Sequence, residues 1–127
     1  MGAPALQLPL PDGGTVWYYP RNPQGLATYA VRLGPDGTVR SVEQVLTADN
    51  ARKIVSEKST AADVLSLIGP SWRTTREGAP PREVWQYRMY DETRTECNFY
   101  VWFSDSGLVE KTLLIKDFSI EPGGRRK

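Results

Sequence analysis

At 127 residues, with 39% hydrophobic and 24% charged side chains, the chain has the length and make-up of one globular domain, able to bury roughly two-thirds of its unfolded surface. A formal net charge of +1 excludes the concentrated basic field that phosphate neutralisation needs, so no nucleic-acid partner is expected. The absence of histidine and the presence of one cysteine, Cys97, remove the commonest general base, the Ser-His-Asp triad, the usual zinc ligands and any intrachain disulfide. No catalysis, no metal and no cofactor are expected.

Pro11-Asp12-Gly13-Gly14 predicts a turn into a strand at Val16–Tyr19. Pro20 to Gly25, with two prolines and a glycine, breaks that strand. A second strand is predicted from Ala27 to Leu33, and Pro35-Asp36-Gly37 reverses the chain into a third, Thr38 to Val45. Thr47 then caps a helix over Ala48–Val55, with Leu46 placed as a hydrophobic staple onto Ala51. Thr60 and Asp63 form a capping-box pair at the start of a second helix. Ala61, Val64, Leu65 and Ile68 make its apolar stripe, and Gly69-Pro70 stops it. Strands follow at Glu83–Tyr90, Glu96–Phe103 and Leu108–Ile115. Alternation puts Trp85, Tyr87, Phe99, Val101 and Phe103 on the side that the helices cover. The third strand of each set alternates less cleanly, which predicts a bulge. Arg125-Arg126-Lys127 reads as a frayed tail.

The strands repeat. Val16-Trp17-Tyr18-Tyr19 returns as Val84-Trp85-Gln86-Tyr87, and Tyr29–Leu33 returns as Phe99–Phe103. Trp17 and Trp85 lie 68 residues apart, and Gly37 and Gly107 lie 70 apart. Such constant spacing reads as a tandem duplication. The expected fold class is α+β: antiparallel sheet units in the order βββ-αα-βββ, with a helical hairpin packed on one face. Because the second copy is preceded by helices and the first is not, the first copy reads as trimmed. The apolar surface around Trp17, Tyr19, Tyr29 and Val31 then needs a cover from the second sheet, a partner chain or a swapped element.

Asp91-Glu92 is read as a solvated turn, not an acid–base pair, and Ser56 with Lys58 as an ordinary loop. The glycine pairs match no phosphate-cradling loop. What remains is aromatic surface: Tyr100 and Trp102 share the face away from the helices with Gln86, Arg88 and Tyr90. Tyr, Trp and Arg together on one sheet face are the material of binding hot spots. Two readings stay open: a face for a protein partner, or a face covered by the rest of the chain or a second subunit, as in a homodimer or domain swap.

Four segments together, Gln44–Ile54, Ser59–Pro70, Val84–Tyr87 and Phe103–Val109, resemble the SmpA/OmlA (BamE-like) lipoprotein family. The resemblance is to a threonine-capped helix ending near Gly-x-Pro, a Trp-x-Tyr strand and a glycine-turn hairpin. It implies ααβββ repeats: a strand half over residues 1–45, a complete unit over 46–118 and a disordered tail over 119–127. It further implies a periplasmic, outer-membrane-associated lipoprotein that assists β-barrel protein assembly, with Gln44, Leu46, Thr47 and Asn50 contributing to partner and anionic-lipid contacts. Three departures stand out: Val55-Ser56-Glu57-Lys58 replaces a loop that usually carries glycine, Ser71 replaces the usual proline, and the family's lipid-bearing cysteine is not among these residues. The expected outer-membrane association is therefore through a lipid anchor absent from this chain. Tandem copies also resemble β-lactamase inhibitor proteins, which grip an enzyme with an aromatic sheet. Arg88, Tyr90, Tyr100 and Trp102 would form that grip here.

Overall fold

The computed structural model describes residues 2–22 and 24–116; the tail expected at 119–127 lies outside them. The chain order is β1 (Leu6–Pro9), β2 (Thr15–Pro20), β3 (Thr28–Leu33), β4 (Val39–Gln44), α1 (Ala48–Ala51), α2 (Ala61–Ile68), β5 (Arg73–Glu77), β6 (Arg82–Tyr90), β7 (Glu96–Phe103) and β8 (Val109–Lys116). The strands form two four-stranded antiparallel sheets, β1-β2-β3-β4 and β5-β6-β7-β8.

This corrects the expected α+β, βββ-αα-βββ class. The protein is mostly β, and its helices span only four and eight residues. Each sheet also has a leading strand outside the predicted elements. β1 is a Leu-Gln-Leu-Pro segment flanked by prolines. β5 is Arg-Thr-Thr-Arg-Glu with every residue exposed, so backbone pairing to β6 alone defines it. α1 stops short of the predicted Val55. Lys53 and Ile54 bond three residues back, to Asn50 and Ala51, which tightens the last turn. The Ser59 hydroxyl then takes the Val55 N–H at 2.9 Å. Both predicted caps are present: Thr47 accepts from the Asn50 N–H, and Thr60 and Asp63 form a reciprocal capping box.

The two sheets match in register. Trp17 faces Val31 as Trp85 faces Val101, and Val31 faces Val42 as Val101 faces Thr112. A register shift falls between Arg32 and Leu33 and again between Trp102 and Phe103, in the irregular hairpins that the sequence predicts.

The larger core joins Tyr87, Met89, Phe99, Val101, Phe103 and Val109 of the second sheet to Leu46, Ala48, Ala51 and Ile54 around α1 and to Val64 and Ile68 of α2. Alternation therefore assigns this inner face correctly, with Trp85 partly buried at its margin. A smaller core joins Val16, Tyr18, Ala30 and Val45 to Leu6, Leu8 and Leu10. That face of the first sheet meets α2, because the Tyr18 hydroxyl donates to the Ser66 carbonyl at 3.0 Å. Gly69 makes the approach close: at φ +81 it ends α2, and a Cβ there would lie 2.8 Å from Thr28 Cγ2 and 3.2 Å from the Tyr18 ring.

Candidate protein-binding face

Pairing across the second sheet fixes which side chains share its outer face, because directly opposed residues of antiparallel strands point the same way. Tyr100 lies between Gln86 and Leu113, Trp102 between Val84 and Lys111, and Asn98 between Arg88 and Ile115. Tyr100 and Trp102 pack ring on ring, tilted, with centroids 5.8 Å apart. The Lys111 ammonium sits over the Trp102 ring at 4.7 Å, a cation–π contact that rests the lysine on the aromatic surface. Gln86 donates to Asn98 across the strands at 2.9 Å, and Arg88 reaches Glu96 at 3.5 Å. Beyond the aromatic pair, Leu113 and Ile115 are 47% and 42% exposed. The face thus has an aromatic centre, an aliphatic flank on an edge strand and polar groups already cross-linked to one another. Such an array buries area without needing rearrangement, which suits a protein surface better than a small molecule.

The sequence-predicted residues fall into two groups. Arg88, Tyr90, Tyr100 and Trp102 do lie on this one face, by register. Tyr90 stands at its end, with the Arg94 guanidinium 4.7 Å over its ring. Gln44, Leu46 and Thr47 instead line a shallow cleft of about 180 Å³ that also reaches Tyr90, Asp91 and Arg94. Within it Leu46 is buried in the core. The Gln44 carbonyl accepts from the Thr28 and Leu46 N–H groups, and its amide donates to the Leu46 carbonyl. Asn50 donates to the Val45 carbonyl and accepts from Lys53. These side chains hold the crossing from β4 to α1 together.

Lys111, Leu113 and Ile115 were not assigned to the site from sequence. The signal for two of them was present, since the unbroken apolar run Leu113-Leu114-Ile115 is unusual in an edge strand.

Burial is the main cause pushing the Cys97 thiol up, and the thiol donates to the Thr95 carbonyl at 3.4 Å. Asp91 closes its turn by accepting from the Thr93 and Thr95 N–H groups and the Thr93 hydroxyl. Among the described residues no group of three or more His, Cys, Asp or Glu side chains is placed to hold a metal ion. No described helix is long and apolar enough to cross a membrane. Comparison with protein-family models, with curated proteins and with solved structures finds no match to this chain.

Proposed function

We propose that this chain is a non-catalytic domain that binds a protein partner through the outer face of its second sheet. The observation that carries this reading is the Tyr100–Trp102 ring pair with Lys111 over it and exposed Leu113 and Ile115 beside it. The order of the capped helix, the Trp-x-Tyr strand and the glycine-turn hairpin supports a narrower version. In that version the partner belongs to the machinery that assembles β-barrel proteins in the outer membrane, and the domain works in the periplasm.

Cross-linked pull-down from detergent-solubilised bacterial envelopes tests it. The wild-type domain is expected to capture an assembly component, and the double variant Tyr100→Ala, Trp102→Ala to lose capture while its circular dichroism stays unchanged. Equal capture by both forms would overturn the assignment of the face. The alternative is that the same face grips an enzyme as an inhibitor does. Inhibition of a β-lactamase by the wild-type domain, abolished in the double variant, would select it over envelope assembly.

A further inference from the structure

The matched registers place residues of the first sheet on positions that the second sheet keeps dry. Trp17, Tyr19, Tyr29 and Val31 stand where Trp85, Tyr87, Phe99 and Val101 stand, at the same strand pairings. In the second sheet Tyr87 and Val101 are fully buried, because residues of α1, α2 and the segments flanking α1 lie on them. In the first sheet no helix lies on these positions among the described residues. Trp17, Tyr19 and Tyr29 are half-buried and Val31 is 9% exposed, so the exposed part of this face is its β4 margin. Val39 is 60% exposed where its counterpart Val109 is 0% exposed, and Val42 is 57% exposed. The other face of the first sheet is the one occupied by its own core and by the contact with α2.

The cover has a definite chemistry in the second sheet. An aromatic floor receives small and medium aliphatic side chains (Ala51, Ile54, Val64 and Ile68) carried on short helical turns. This half-buried face repeats that floor, and its central row is uncharged: Trp17 is flanked across the strands by Gln7 and Val31, and Val31 by Val42. Nothing ionic in that row would pair with a lipid headgroup or a charged peptide, and any charge brought to it would be desolvated without compensation.

We infer that the Trp17–Tyr19–Tyr29–Val31 face docks an amphipathic helical segment of another protein, one whose contact stripe is aliphatic and uncharged. This reading stands on the first sheet alone and is independent of the aromatic face of the second.

The probe is a synthetic peptide copying residues 45–69 of this sequence, the segment that closes the second sheet. It is added to the full-length, isotope-labelled chain and followed by NMR. Saturable shifts are expected at the Trp17 indole N–H and at the Val39 and Val42 methyls. Val42→Lys, and separately Val39→Lys, should each weaken the peptide about tenfold or more, since both force a charge into an apolar contact. Both sites are largely exposed, so the amide spectrum of either variant should otherwise match the wild type. The Tyr100→Ala, Trp102→Ala variant should bind the peptide as the wild type does. No shifts, or shifts confined to the second sheet, would overturn the inference. So would the same shifts appearing on concentrating the chain without peptide, which would make a second copy the occupant.

Discussion

The side-chain amide of Asn22 pairs with the backbone of Arg88 as a neighbouring strand would. Its nitrogen donates to the Arg88 carbonyl at 3.0 Å, and its oxygen accepts the Arg88 N–H at 2.9 Å. The pairing of β5 with β6 ends at Gln86, two residues earlier, so the loop after β2 finishes the edge that β5 leaves open. This also ties the first sheet to the second. Asn22→Ala is expected to cost about 2 kcal/mol, the range for stranding partly buried backbone partners. Urea denaturation should show a lower midpoint, and the Arg88 amide should exchange faster. Unchanged exchange at Arg88 would remove the bridging role.

A second long-range bond lies deeper. The Tyr87 hydroxyl donates to the Gly69 carbonyl at 2.8 Å, locking the end of α2 onto β6. Burial drives the Tyr87 phenol far above the ordinary tyrosine range, and burial also raises Tyr18. The sign follows from which state holds the proton. Both phenols stay neutral in the folded chain at pH values where the unfolded chain ionises, near 10. Their stabilisation is therefore complete below about pH 10 and is lost as pH rises from there toward the folded values. Tyr87→Phe should cost about 1–2 kcal/mol at neutral pH and flatten the alkaline decline, leaving the smaller part due to Tyr18. A variant with the wild-type alkaline slope would contradict this. At the acid end Asp91 is held low, chiefly by the Thr93 hydroxyl and then by the Thr95 N–H. Its contribution is present above the ordinary carboxylate value and fades as pH falls through its depressed one.

Where a local signal decides the structure, the sequence is readable. The two threonine caps, the Gly69 stop, the inner face of β6 and β7 and the bulged hairpins all follow from residue type and period. Of the two unexpected leading strands, β5 was not readable, because all its residues are exposed. β1 did carry a signal, since Leu6, Leu8 and Leu10 alternate and pack on the core, but prolines on either side and within it read as a break. The pairing of both strands is decided by the neighbours β2 and β6, which lie elsewhere in the chain. α1 misled for the opposite reason: Ala51, Ile54 and Val55 have helical spacing, yet only Ala51 and Ile54 are buried, and Val55 is 48% exposed. The site divided the same way. Tyr100 and Trp102 could be placed on one face from alternation, whereas the structural duty of Gln44 toward the Thr28 N–H depends on a contact sixteen residues away.

Glu57 occupies the left-handed region, φ 68, in the loop where the resembled family usually carries glycine. Its N–H still donates to the Val109 carbonyl at 2.7 Å, so the contact holds the backbone there. A residue with a Cβ in that conformation costs about 1–2 kcal/mol, part of which glycine returns through its larger unfolded-state entropy. Glu57→Gly is therefore expected to stabilise the chain by about 0.5 kcal/mol, because the exposed glutamate side chain has little packing to lose. A thermal melt showing destabilisation would mean that the Glu57 side chain does more than its exposure indicates.

The two equivalent tryptophans differ at one atom. Trp85 Nε1 donates to Glu83 Oε2 at 2.7 Å, whereas Trp17 Nε1 is buried and finds no acceptor among the described residues. The reason is one position in β2: Thr15 stands two residues before Trp17, where Glu83 stands two residues before Trp85. Thr15 faces Leu33 as Glu83 faces Phe103, so a glutamate at 15 would start from the same register and the same face. Thr15→Glu should therefore satisfy the indole and stabilise the chain by about 1 kcal/mol, the net worth of a hydrogen bond that ends a buried vacancy. The Trp17 indole proton should move downfield and exchange more slowly. The double variant Thr15→Glu, Trp17→Phe separates this from a general charge effect: with the indole N–H gone, the glutamate should no longer stabilise. Equal stabilisation in both backgrounds would show that the new carboxylate acts on something other than Trp17.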